Sequence, residues 1–429
     1  MTATNTATLI PSATHTLIST ATPTPTTTHT PIPTPFKLVA DDGEEGDSFG
    51  NSVAYSSDGT TILVGAYSDN IEGSFGQGSA YIFIRSGGIW VQQAKFTASS
   101  NSGEYDFFGS SVALSSDGNT ALVGVGADDI GANSDQGSVY VYTRSGTTWT
   151  QQQKLTASDG APDDIFGWSV ALNSDGTTAL ISSETNDIGT NQSQGAAYVF
   201  TLSGTTWTQQ QKLTASDGEA DDRFGFGVAL NNTGDIALVS AVYQDIGANV
   251  SQGSAYVFTR SGTTWTQQQK LIASDGAEDD DFGVSVALNS DGNTALVGAF
   301  DDDIGANSGQ GSAYIFTRSG TAWMEQQKLI ASDGASNDYF ARSVALSATG
   351  DTALVGAYAD TFGANSNQGS AYVFTRSGTT WTQQQKLIAS DGAQDDYFGV
   401  SLDLSSTGDV ALVGAYNADQ GAAYIFPLP

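Results

Sequence analysis

The sequence predicts an all-β fold: a seven-bladed β-propeller of four-stranded antiparallel blades, closed by the N-terminal strand completing the last blade. Three observations lead there. First, a unit of about 58 residues recurs, with a landmark phenylalanine at Phe49, Phe108, Phe166, Phe224, Phe282, Phe340 and Phe398. A fixed period of this length means one supersecondary unit copied many times. Second, each unit holds four short apolar or aromatic runs bounded by Gly, Asp, Asn or Ser, and none shows helical periodicity. Third, the last unit stops one run short, and a matching run stands at the other end of the chain.

The unit Lys154–Gln211 states the pattern most cleanly. Its first strand is expected over Phe166–Asn173. Asp175-Gly176 then supplies a two-residue hairpin signal. The second strand is expected over Thr178–Ser183, followed by a long polar loop. The third is expected over Ala196–Leu202. A Ser-Gly turn leads to the fourth, Thr206–Ala215, which opens with a repeated tryptophan and carries glutamines. The first two runs are almost continuously apolar, as in strands covered on both faces, and the fourth alternates as an outer strand does. Four antiparallel strands at this repeat length form a propeller blade.

The ends explain the closure. The final unit ends after its third strand, Gly421–Phe426, and lacks its tryptophan strand. Aligning Lys37-Leu38 with Lys154-Leu155 makes Pro31–Ala40 the missing piece, with Ile32 at the tryptophan position. Pro31, Pro33 and Pro35 then remove donors from one side only, which an edge strand tolerates. The competing reading is plain linker as far as Phe36. Residues 1–30 are Thr-rich with scattered Pro and too little apolar content to fold, so a disordered stalk or linker is expected, with the propeller over 31–429.

Composition narrows the function. The 429 residues contain no cysteine, so thiolate chemistry and disulfides are absent. No apolar run approaches membrane-spanning length, and no secretion signal is visible at the N-terminus. The net charge of −32 disfavours nucleic acid and anionic membranes and suits cations or basic partners. Both histidines, His15 and His29, fall in the leader, which leaves the propeller without an imidazole base.

The residues Phe-Gly, then Val-Gly-Ala-Tyr (Val64–Tyr67, Val355–Tyr358, Val413–Tyr416), then Gln-Gly-Ser-Ala-Tyr-Val-Phe (Gln252–Phe258) resemble FG-GAP repeats. These build the seven-bladed propeller of integrin alpha subunits and of many bacterial surface proteins. The resemblance runs over Phe36–Phe426. It implies extracellular adhesion or ligand binding, commonly with calcium. Calcium-binding members carry Asp-x-Asn-x-Asp-Gly-x-x-Asp between the first two strands. Here Asn289 and Asp291 match, but Ala287 and Ala295 replace the outer carboxylates. Calcium needs six to eight oxygens, so a hairpin turn is the expected role.

Strand order puts the loop leading into strand one and the loop between strands two and three at the same end, called the top. These loops hold 37 of the 46 acidic residues, and Arg223 and Arg342 are the basic exceptions. The candidate ligand-binding residues are Asp163, Asp164, Asp221, Asp222, Asp279, Asp280, Asp395, Asp396 and Trp168. The candidate metal ligands are Asp159 with Asp163, Asp275 with Asp279, and Asp391 with Asp395, calcium being the candidate ion. Solvated polar turns copied seven times are the alternative. The repeated Trp and the Tyr198/Phe200 pair are expected in packing, and the one lysine per unit in a structural role.

The expected function is non-catalytic recognition or adhesion at a cell surface, binding a protein or glycan through the acidic top loops. The chain is expected to act as a monomeric module of a larger protein, without nucleic acid or membrane insertion. A structural scaffold is the second reading, favoured by the near-identity of the blades. A carboxylate-based polysaccharide lyase or hydrolase is the third.

Overall fold

A computed structural model describes residues 1–2, 35–98 and 103–428. The stalk expectation for residues 1–30 and the placements of Pro31, Ile32 and Pro33 lie outside the described residues. The chain divides into a unit Met1–Pro31 and a unit Ile32–Pro429. The second carries every described strand, arranged as seven four-stranded antiparallel sheets.

Blade 3 shows the common plan: Phe166–Leu172, Thr178–Ser183, Ala196–Ser203 and Thr206–Leu213, in that order from inside to outside. The fourth strand thus ends two residues before the sequence expectation. The second strand is buried along its whole length, with Ala179, Leu180 and Ile181 at its centre. The first is not covered on both faces as expected. After Phe166 and Gly167 its residues are exposed or half-buried, because this strand lines the central channel.

The blades are joined around the landmark phenylalanine, which is fully buried at all seven positions. Each hydrophobic cluster spans two neighbouring blades. One contains Leu238 and Val257 of blade 4 with Phe282, Tyr314 and Phe316 of blade 5. Phe282 meets those two rings edge-on at 5.5 and 6.0 Å, the favoured aromatic geometry. The repeated tryptophans pack into these clusters, as expected.

Polar contacts reinforce the joints. The hydroxyls of Ser52, Ser111, Ser285, Ser343 and Ser401 donate to the carbonyls of Gly109, Gly167, Ala341, Gly399 and Gly50 in the next blade, at 2.7–2.8 Å. That carbonyl sits against the second-strand glycine of the donor's own blade. A Cβ at Gly356 would lie 2.1 Å from the Gly399 oxygen. Blades 3 and 4 have Ser182 and Ser240 at this position. Their hydroxyls turn instead to their own first strand, accepting from the Ser169 and Gly227 amides. On the outside, Gln153, Gln211, Gln269 and Gln327 each clamp the backbone of the next tryptophan. Gln269 donates to the Trp323 carbonyl and accepts from its amide, both at 2.8 Å.

The ring closes on itself. Phe36–Leu38 pairs with the third strand of blade 7, in the register Phe36↔Ile425, Lys37↔Tyr424, Leu38↔Ala423. This repeats the pairing Lys212↔Tyr198 and Leu213↔Ala197 of blade 3. Blade 7 then packs on blade 1 through Leu412, Ala423 and Ile425 against Phe49 and Tyr81. The Tyr55 amide of blade 1 also donates to the Asp403 carboxylate of blade 7 at 2.8 Å.

Gly356→Ala is expected to destabilise the fold by about 2 kcal/mol, since overpacking a rigid backbone contact costs roughly 1–3 kcal/mol. Urea unfolding, followed by tryptophan fluorescence, measures it. Ser182→Gly, at the equivalent position where no bridging carbonyl bond exists, should cost less than half as much.

Candidate functional site

Most acidic residues of the top are occupied by the fold. The last aspartate of each leading loop folds back on its own turn. The amides of Ala161, Glu219, Ala277 and Ala393 donate to Asp164, Asp222, Asp280 and Asp396 at 2.6–2.8 Å. These four candidates are buried, so they act as loop caps rather than ligand-facing groups. Burial raises their pKa, to about 6 at Asp280, where the Asp302 charge adds to the effect.

The first aspartate of the loop meets the lysine of the fourth strand. Asp159, Asp275 and Asp391 lie 2.7, 2.9 and 2.8 Å from Lys212, Lys328 and Lys37. Lys328 also holds Asp302 of the second top loop at 2.6 Å and lies over the Tyr314 ring, whose hydroxyl donates to Asp275. The lysine therefore ties the two top loops of one blade together. Partial burial works to raise the Asp275 pKa, but Lys328 and Tyr314 outweigh it and hold the carboxyl below its usual range.

Asp163, Asp221, Asp279 and Asp395 occupy the position between. All four adopt left-handed backbone, φ +63 to +66°. Their amides donate to carbonyls of the preceding blade's second top loop, as Asp163 does to Ser134 at 2.9 Å. The side chains of Asp163, Asp221 and Asp279 are exposed, and Asp395 accepts from Asn367 at 2.7 Å. In the candidate metal pairs, one member is thus neutralised by lysine. Among the described residues no three Asp, Glu or His side chains come together to hold a metal ion. The hairpin that aligns with the calcium loop is closed by its own side chains: Asn289 and Asp291 both accept from the Asn293 amide.

Trp168, a candidate from the sequence, lines the mouth of the channel, a cavity of about 940 Å³, together with residues that sequence reading passed over. The second residue after the landmark points into it: Asn51, Ser110, Trp168, Phe226, Val284, Arg342 and Val400. The blades are near-copies elsewhere on this strand, yet all but two of these residues differ. Residues just before the landmark and just after strand two complete the rim. They form an aromatic run Phe300, Tyr339, Tyr358, Tyr397, Tyr416, with successive centroids 5.4, 5.8, 5.7 and 5.4 Å apart. Across the channel Trp168, Phe226 and Tyr243 make a second run, at 5.6 and 6.3 Å. Trp168 is 37% exposed. Comparing the seven copies for the columns that vary, rather than for those that repeat, would have found this collar.

The two basic residues of the top differ. Arg223 pairs with the buried Glu184 at 3.0 Å and lies against Tyr243. Arg342 lines the channel, and the ionisable groups acting on it are Tyr358, Tyr243 and Tyr416.

These environments set a pH dependence. Burial, aided by neighbouring carboxylates, raises Asp106, Asp280 and Asp338 to about 6 and Asp281 to about 7; burial alone raises Asp403 to about 6. A carboxyl with a raised folded pKa stabilises the fold fully below its unfolded value, and that stability is lost as pH rises through the folded value. The lysine-bound Asp159, Asp275, Asp333 and Asp391 have lowered values, so their stability is lost as pH falls below roughly 4. The melting temperature is therefore expected to rise as pH falls from 7.5 to about 5 and to drop below about 4. Differential scanning calorimetry across that range checks it.

The FG-GAP repeat family matches this chain over residues 36–83, 90–142, 149–200, 207–258, 265–316, 323–374 and 381–426. Each match from the second onward begins at the repeated tryptophan of one blade and ends in the third strand of the next. The first begins at Phe36, the closing strand. No curated protein matches the chain. Seven consecutive matches on a seven-bladed ring show that the protein belongs to the FG-GAP repeat family.

Proposed function

We propose that the protein is a non-catalytic recognition or adhesion module of an extracellular or cell surface, and that it takes a protein or glycan at the top mouth of the channel. The supporting observation is where the blades differ. Joints, turns and outer strands repeat nearly unchanged, whereas the second residue after the landmark ranges from Asn51 to Trp168 to Arg342. A spacer needs no such variation at one end of its axis, which favours recognition over scaffolding. The aromatic collar offers flat apolar faces with hydroxyl edges, a surface suited to stacking and hydrogen bonding.

The free carboxylates around the mouth, Asp163, Asp221 and Asp279 among them, give the rim a negative field that steers cationic groups toward it. The paired carboxylates that a lyase or hydrolase requires find little support. Of the raised aspartates, Asp106, Asp280 and Asp338 are loop caps and Asp403 holds the Tyr55 amide at the closing joint, and the described residues contain no histidine.

Protein and glycan arrays test this reading. Wild type is expected to bind a reproducible subset, and the double variant Trp168→Ala, Tyr358→Ala to bind it at least tenfold more weakly. Thr147→Ala, in an exposed turn at the opposite end, should leave binding unchanged. Arrays blank for folded wild type would refute the proposal.

A further inference from the structure

We propose that Arg342 is an anion seat in the channel mouth, and that it receives the C-terminal carboxylate of a basic peptide segment. This rests on the recognition reading above and names the partner for it.

The chain pairs its cations thoroughly. All seven fourth-strand lysines contact an aspartate. Arg223 has Glu184, and Arg376 has Asp351. Among the described residues the guanidinium groups of Arg260 and Arg342 make no hydrogen bond or ion pair; Arg260 lies over the Trp265 ring, whereas Arg342 lies in the channel wall. Arg342 is half-buried there, and the ionisable groups acting on it are tyrosines rather than carboxylates. A partly desolvated charge without a partner is costly, and a guanidinium is shaped to take a carboxylate through two parallel hydrogen bonds. The backbone beside it is also unusual. Blade 6 alone carries a side chain at the corner after the landmark, and Ala341 adopts φ +74° there.

Charge selects the partner. The mouth is positive at Arg342 and negative around its rim, where Asp163 and Asp135 border the channel. A polyanion would be repelled before reaching Arg342. A carboxylate that travels with lysines or arginines is attracted by the rim, and like-charge rejection of other ligands adds specificity. The rim tyrosines and Trp168 also offer ring faces to those cations. A channel walled by seven strands admits a chain end more readily than a loop, which favours a terminal carboxylate over a side-chain one.

The test uses fluorescein-labelled hexapeptides with lysine at alternate positions and random residues between, made as free acids and as C-terminal amides. Fluorescence anisotropy with the full chain reads binding. The free acids are expected to bind wild type at least tenfold more tightly than the amides. Arg342→Gln should abolish that difference, and Arg342→Lys should keep part of it. The melting temperature of Arg342→Gln should equal or exceed that of wild type, since an unpaired, partly desolvated charge is removed; this shows the loss is not unfolding. Equal binding of acids and amides, an acid preference that survives in Arg342→Gln, or binding of uronate-terminated oligosaccharides in place of the peptides overturns the inference. In each of those cases array binding by wild type would leave the recognition reading standing, whereas blank arrays would remove that reading itself.

Discussion

The structure depends on one close approach, repeated around the ring. The chain turns sharply after each landmark phenylalanine, and the carbonyl of the next residue presses against the second strand of the preceding blade. At Gly65, Gly124, Gly298, Gly356 and Gly414 a Cβ would sit 1.9–2.3 Å from that oxygen. Because the backbones meet there, the phenylalanine drops between the sheets and is sealed on both sides. The leading loop above it is pinned to the neighbouring blade's second top loop, as Ile165 is to Asp135 and Phe166 to Gln136. A joint of this kind leaves little room for insertion at the landmark itself, which accounts for the nearly constant period. Closure adds one hydrogen bond, from the Tyr55 amide to the Asp403 carboxylate, to the shared contacts. The joint between blades 7 and 1 uses the same Ser401–Gly50 bond and the same aromatic packing as the others.

The charge of −32 looks severe for a folded chain, since like charges crowded together favour expansion. The Lys–Asp–Tyr clusters reduce it locally. The leading-loop aspartates in them are about half exposed, with side-chain exposures of 48–54%. Pairs that open to solvent contribute little to stability, on the order of 0–1 kcal/mol each. Their consequence is geometric: a lysine from the outermost strand fixes where both top loops of its blade sit. The rim of the channel is thereby held in place by contacts that lie outside it.

How much of this was legible followed from how local each signal was. The four strands per unit, the hairpin at Asn289–Thr294 and the complementary ends were readable because alternation and turn residues act over a few positions. Even so, Val and Ala next to an open channel read like Val and Ala in a core, so the first strand reads as covered on both faces. The fates of the aspartates were less accessible. Asp159 and Asp163 are equivalent in composition, but Lys212, 53 residues away, neutralises only the first. The glutamines of the outer strand gave the same difficulty. Gln153 and Gln211 read as solvent-facing, yet they clamp tryptophan backbones 54 positions on.

The collar shows why repetition and a distinct site coexist in one ring. In the first strand the landmark and the residue after it belong to the joint, and the next residue points into the channel. Its side chain meets no neighbouring backbone at 2 Å, so Asn51, Ser110, Trp168 and Arg342 can occupy it without disturbing the packing that sets the period. The joint constrains one stretch of each blade severely and leaves the adjoining position nearly free. The exception supports this division. Where Ala341 stands at the corner in left-handed backbone, a conformation that favours glycine, strain enters the joint itself. It does so immediately beside the one arginine of the channel, so the blade that departs from the shared corner is also the blade that places an unpartnered cation at the mouth.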